Sequence, residues 1–167
     1  MSTSKERVLQ REHDRGLPVG KMQGRADALD LAARAPGMDG TAIIAEEAKI
    51  PAWSPDAVYT AEHVGFPVQD DGQVYTITMP HTPAHNPGSR PADLRAIYSL
   101  LHTTDPAKAK PWVASYGTSG LYMVDECCTH PHAETGLLHA WRNTYDNNEY
   151  PPQTQGAESR WVDLGPV

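Results

Sequence analysis

Beyond residue 52 the apolar positions fall in short bursts, each bounded by turn residues. QVYTITM follows Asp71-Gly72, LYMVDECC carries Tyr122, and LLHAWRNTY follows Thr135-Gly136. Bursts of this length, rich in Val, Ile, Thr and aromatic residues, predict short strands, with hairpin turns at Asp71-Gly72 and near Thr135-Gly136. The first 40 residues follow a helical pattern instead. Thr3 and Glu6 have the spacing of a capping box and precede a polar run to about Asp14, which Gly16 and Pro18 stop. A second helical pattern runs from about Arg25 to Arg34, with Ala26, Leu29 and Ala33 on one face, and ends before Pro36-Gly37. Asp39-Gly40 marks a turn. TAIIAEEAKIPAW then carries Ile43, Ile44 and Ile50 as an extended connector with room for one strand.

From Trp53 onward one order of residues occurs twice. The first unit opens at Trp53 with Tyr59, continues through Asp71-Gly72 and the strand holding Tyr75, and closes at Tyr98 after a Pro-rich loop. The second opens at Trp112, continues through Tyr122 and the strand holding Trp141, and closes at Trp161 after another Pro-rich loop. Tyr75 and Tyr98 are 23 residues apart, Trp141 and Trp161 are 20 apart, and an internal repeat of about 50 residues accounts for both. The fold class expected is mainly β: two small three-stranded antiparallel modules in tandem behind an N-terminal helical or extended arm. Residues 1–40 form the arm, 41–104 the first module and 105–167 the second. The segments 94–101 and KAKPW join the modules.

Composition sharpens this division. All twelve Trp, Tyr and Phe residues lie from Trp53 onward, and Pro and Gly make up about a sixth of the chain, so small cores with many turns are expected. The net charge of -7 argues against a nucleic-acid backbone or an anionic membrane surface as the main partner. The arm is balanced in charge, and the acidity belongs to the aromatic part. No apolar run has the length of a membrane span, and the charged start MSTSKERVLQREHDRG has no signal-peptide core, so neither membrane insertion nor classical secretion is expected. A polar arm of this kind is either an unstructured tail or a segment held by another subunit of an assembly.

The richest chemistry lies in Trp141 to Trp161, where Trp141, Tyr145, Tyr150 and Trp161 surround an Asn-rich turn and a Pro pair. A rigid ring with a polar tip stacks well on the flat face of a sugar, and Pro151-Pro152 limits the motion of Tyr150. Asn147, Asn148 and Gln153 carry amides that both donate and accept, though turn chemistry accounts for Asn147 equally well. These residues are also similar to a known pattern. Trp53, Tyr59, Gly72-Gln73-Val74-Tyr75, His81-Thr82 and Tyr98, followed by Trp112, Tyr122, Trp141, Tyr150-Pro151-Pro152 and Trp161, resemble the chitin-binding type carbohydrate-binding modules of families five and twelve. AWRNTYDNNEYPP and the lead-in PGMDGTAIIAEEAKIPAW look like the form found in bacteriophage tail and baseplate proteins. The resemblance covers residues 41–167. It implies a non-enzymatic virion protein, made in the host cytoplasm and oligomeric within its particle. Residues 1–50 would dock on other tail or baseplate subunits, and Trp161, Tyr150, Trp141 and Tyr145 would face a surface polysaccharide. The first module departs from the pattern, with His85-Asn86-Pro87 in place of the W-x-P Trp and Tyr98 in place of the final Trp. It offers Tyr98 and Tyr75 as a second, weaker surface. The alternative is a decorating component that keeps the fold and binds no sugar.

Two other chemistries compete. Cys128, His130 and His132 alternate along an extended segment and share a face, with His139 as a fourth zinc ligand; buried thiols and surface imidazoles explain the same residues. His81 and His85 form a lesser pair. Cys127 and Cys128 are adjacent, where a mutual disulfide is strained, so they read as thiols or as partners for another chain. No hydrolase, phosphate-loop or dinucleotide motif occurs, and the neighbours Asp125 and Glu126 diverge on a strand, so neither an enzyme nor a cofactor is expected.

Overall fold

The computed structural model describes residues 19–83 and 88–167. The helix expected between Thr3 and Asp14 and the His85-Asn86-Pro87 stretch lie outside the described residues. Helix α1 spans Val19–Arg34 and tightens into a 3-10 turn at Ala35–Gly37, where Pro36 ends it. Its start precedes the expected Arg25 by two turns, and its inward face is rotated. Ala26, Leu31, Ala32 and Ala35 are buried, Leu29 is half-buried and Ala33 is exposed. Leu31 decides this face, because it is the α1 leucine that meets the isoleucines of the next element.

That element is a helix, not the extended connector expected. Helix α2 spans Gly40–Ala45, and the Asp39 carboxylate caps it by accepting from the Ala42 N–H at 2.8 Å. The helical turn lets the adjacent Ile43 and Ile44 both reach the core. They pack with Leu31, Ala35 and Ile50 against Val74 of the first sheet, so the arm to residue 50 shares a core with that sheet. Gly40 is required by space: a Cβ there would lie 2.2 Å from the His102 carbonyl oxygen.

The fold is mainly β with few helices. Strands β1 (Pro67–Asp70), β2 (Gln73–Ile77) and β3 (Tyr98–Leu100) form a three-stranded antiparallel sheet in that order. Asp71 (φ 50°) and Gly72 (φ 73°) both take the left-handed conformation that a tight hairpin turn requires, as the Asp-Gly pair predicts. Central strand β2 is buried on both faces: Val74 meets the helices, while Tyr75 and Ile77 meet Tyr59, Val68, Tyr98 and Leu100. The segment 94–101, expected as a joint, supplies the third strand.

The second sheet differs from the expected copy. Strands β4 (Lys110–Pro111), β5 (Cys127–Pro131), β6 (Leu138–Asn143) and β7 (Trp161–Pro166) lie in sequence order, with β4 parallel to β5 and the other pairs antiparallel. KAKPW, read as a joint, is therefore an edge strand, where Pro111 costs little because its missing N–H would face outward. Tyr122 lies outside β5 and makes an isolated bridge with Asn148. The two sheets are joined by contacts rather than by a free linker. Gln73 Nε2 donates to Pro111 O at 2.9 Å, Thr103 bridges to Cys127, and Lys110 pairs with Glu47. Among the described residues no helix is long and apolar enough to cross a membrane.

Candidate functional site

The β6–β7 hairpin and the loop it closes build the aromatic surface of the second unit. Trp141 and Trp161, expected as sugar platforms, are core residues, each only 5% exposed. They pack with Tyr122 and Cys128, and Trp112 covers the cluster. Each indole N–H is spent on a backbone carbonyl: Trp141 Nε1 donates to His130 O at 3.0 Å and Trp161 Nε1 to Tyr150 O at 2.9 Å. The reason is the small sheet itself, which has too few aliphatic residues to close a core without its tryptophans.

Tyr145 and Tyr150 are the rings that face outward, at 54% and 38% exposed. Their backbones are fixed by a buried amide pair. Asn143 and Asn148 are fully buried, and Asn148 Nδ2 donates to Asn143 Oδ1 at 2.8 Å. Asn143 Nδ2 donates to Met123 O at 2.7 Å and Tyr145 O at 2.6 Å, and Asn148 Oδ1 accepts from the Tyr150 N–H at 3.1 Å. Asn148, wholly buried with Nδ2 and Oδ1 both bonded inside the protein, does not reach a sugar. Asn147 sits at φ 57°, the turn position that asparagine tolerates, and Gln153 spends its Oε1 on the Ala133 N–H at 2.9 Å. The register pairs Asn143 with Trp161, and the Thr144 N–H donates to Arg160 O at 2.8 Å, which brings Arg160 beside Tyr145. The Arg160 guanidinium carbon stands 4.4 Å from the centroid of the Tyr145 ring and 4.8 Å from that of Tyr150. Sequence reading missed Arg160; the signal available was only its place next to Trp161.

The first-unit pair is internal. Tyr75 and Tyr98 are buried, and the Tyr98 hydroxyl accepts from Trp53 Nε1 at 2.9 Å and lies 2.5 Å from His81 Nε2. His81 Nδ1 donates to Met79 O at 2.8 Å, which leaves Nε2 to accept from the Tyr98 hydroxyl. Burial pushes the Tyr98 phenol up to about 12, and the ring offers no face to a ligand.

The zinc quartet is not assembled. Cys128 lies within the tryptophan core, where burial pushes its thiol up, opposite to what a metal ligand or nucleophile needs. Burial also pushes up the neighbouring Cys127 thiol, and both cysteines are free. His130 Nδ1 contacts Pro131 O at 3.0 Å. His139 Nδ1 bonds both Asp163 oxygens at 2.8 and 2.9 Å, and His132 Nε2 stands 3.9 Å from the same carboxylate. Burial alone would raise the Asp163 carboxyl, but the Gly165 N–H and His139 outweigh it and hold it below the usual range. Among the described residues no group of three or more His, Cys, Asp and Glu is arranged to hold a metal ion.

A cavity of about 720 Å³ lies apart from this surface, between α1 and the first sheet, lined by Leu29, Ile50, Tyr59, Phe66 and Ile77 among others. Its described lining includes no residue of the second unit. The outward-facing tyrosine pair can stack on a flat ligand, and the guanidinium that contacts both rings can donate to one. No protein-family model matches the chain, and no curated protein matches it.

Proposed function

We propose that the chain is a non-enzymatic component of a bacteriophage tail or baseplate, or of a similar particle, and that its second unit attaches to a host surface glycan through Tyr145 and Tyr150. The observation that carries this reading is the exposure of two tyrosines on a loop braced by Asn143, Asn148 and Trp161. Rings held in this way lose little freedom on binding, which is what stacking on a sugar requires. The resemblance to the chitin-binding type modules supports the same assignment, with the stacking role moved from the tryptophans to the tyrosines. In this reading the two sheets are divergent copies of one small three-stranded module, the second extended by β4. Residues 1–50 dock on neighbouring subunits, and many weak sites on one particle gain avidity.

A second reading is favoured by the burial of Trp141, Trp161, Tyr75 and Tyr98. There the module fold is kept as a structural or decorating piece, and its rings serve only its own cores.

Retention of the full chain, displayed in many copies, on envelopes of a candidate host and on insoluble polysaccharide separates the two. Adhesion requires that wild type be retained and that Tyr145→Ala and Tyr150→Ala each lose retention at unchanged melting temperature. Absence of wild-type retention leaves the structural reading.

A further inference from the structure

Arg160 differs from the cations that hold a carboxylate; like Arg95, Lys108 and Arg142 it has no ion pair among the described residues, and it stands over two rings. Arg34 pairs with Glu46 and Asp30, Arg90 with Asp70, Lys49 with Glu46, and Lys110 with Glu47. Among the described residues the Arg160 side chain has no carboxylate within ion-pair distance and no hydrogen bond, in a chain with 21 acidic and 14 basic residues. The acids close to it in sequence do not claim it. Glu158 accepts from the Gly156 N–H at 2.9 Å, Asp146 accepts from the Val124 N–H at 3.2 Å, and exposed Glu149 makes no ion pair with it. What holds Arg160 is the pair of rings, at 4.4 and 4.8 Å.

We infer that the tyrosine surface takes an acidic sugar, a pyranose bearing a carboxylate such as a hexuronate, with Arg160 as the group that reads the charge. This rests on the glycan reading of the surface and narrows it from sugars in general to anionic ones. A guanidinium over aromatic faces keeps its N–H donors at its edge, and that edge matches a carboxylate with two parallel hydrogen bonds. Contact with two rings removes part of the water and rotamer freedom that a lone surface arginine would give up on binding. The neutral part of the ligand stacks on Tyr145 or Tyr150 while the carboxylate meets Arg160. The overall charge of -7 gives the chain no general attraction for polyanions, so retention on one reports this local site.

The full chain is run over immobilised polygalacturonate and over the same polymer methyl-esterified, which keeps the ring and removes the charge. Wild type is expected to be held about tenfold more strongly on the acid form, and the difference shrinks as salt rises. Arg160→Gln abolishes the difference, Arg160→Lys restores part of it, and Tyr145→Ala and Tyr150→Ala weaken retention on both forms. Circular dichroism of each variant establishes that it is folded. Equal retention on acid and ester, or equal losses on both in Arg160→Gln, overturns the charge-reading role while leaving sugar stacking intact. No retention on either polymer, on chitin or on host envelopes removes the glycan reading and this inference together.

Discussion

Lowering the pH from 7 to 5 should unload a specific part of this fold through His102. The imidazole is buried beneath the second unit, stacked on Tyr122 with ring centroids 3.6 Å apart and planes 17° apart. Its Nε2 donates to Gly120 O at 3.0 Å, which satisfies the neutral ring. Burial, helped by the positive charge of Arg95, lowers its pKa from 6.5 to about 4 against the opposing pull of the Gly120 carbonyl. An unfolded chain binds this proton near pH 6.5 and the folded chain resists it until about pH 4, so the unfolded state is favoured as pH falls between the two values. The stability is fully present above pH 6.5 and lost on the way down. Each tenfold drop in proton affinity on folding is worth about 1.4 kcal/mol, so the loss is roughly 2 kcal/mol by pH 5 and about 3 kcal/mol by pH 4. Urea unfolding at half-unit steps from pH 7.5 to 5 measures it, with His102→Gln as the reference. Glutamine keeps a donor for Gly120 O and does not titrate, so it begins less stable at pH 7 but falls more slowly. The difference between the two slopes isolates His102 from the other histidines. Equal slopes in wild type and His102→Gln would mean that His102 takes up no proton on unfolding in this range.

Gly40→Ala places a Cβ 2.2 Å from His102 O and must push α2 off the chain beneath it, a cost of about 2–3 kcal/mol that thermal melting reads directly. Asn143→Ala strips the carbonyls of Met123 and Tyr145 and the amide of Asn148 of a buried partner. It should cost about 2–4 kcal/mol and speed amide exchange at Tyr145 and Tyr150. Trp161→Ala empties the second core and releases Tyr150 O, so it should lose about 3–5 kcal/mol by denaturant titration. Loss of ligand in that variant would report unfolding, whereas unchanged stability would return Trp161 to the surface.

The strands were legible where turn chemistry was strong. Asp71-Gly72 fixed the first hairpin, and Thr135-Gly136 placed the second, with Gly136 at φ 69°. Two elements were not. KAKPW has no strand pattern of its own and is extended because β5 offers a free edge. TAIIAEEAKIPAW reads as a connector until the Asp39 cap and the joint burial of Ile43 and Ile44 make a helical turn the better solution. The four aromatics of the candidate site were visible in the sequence, but their orientation was not. A Trp next to a turn has the same composition whether it closes a core or faces water, and here the shortage of aliphatic residues in the second sheet turned both tryptophans inward. The distinction between Arg160 and any other surface arginine arises only from the register that sets it beside Tyr145, and sequence spacing does not carry that information.

Tyr145, Tyr150 and Arg160 are proposed to form a sugar-binding surface. A nitrogen–proton correlation spectrum of the full chain, titrated with soluble fragments of host surface polysaccharide, tests this most directly. Saturable shifts are expected at the amides of Tyr145, Tyr150 and Arg160, with Tyr75 and Tyr98 unmoved. No shift at any concentration, or shifts confined to the cavity under α1, would contradict the proposal.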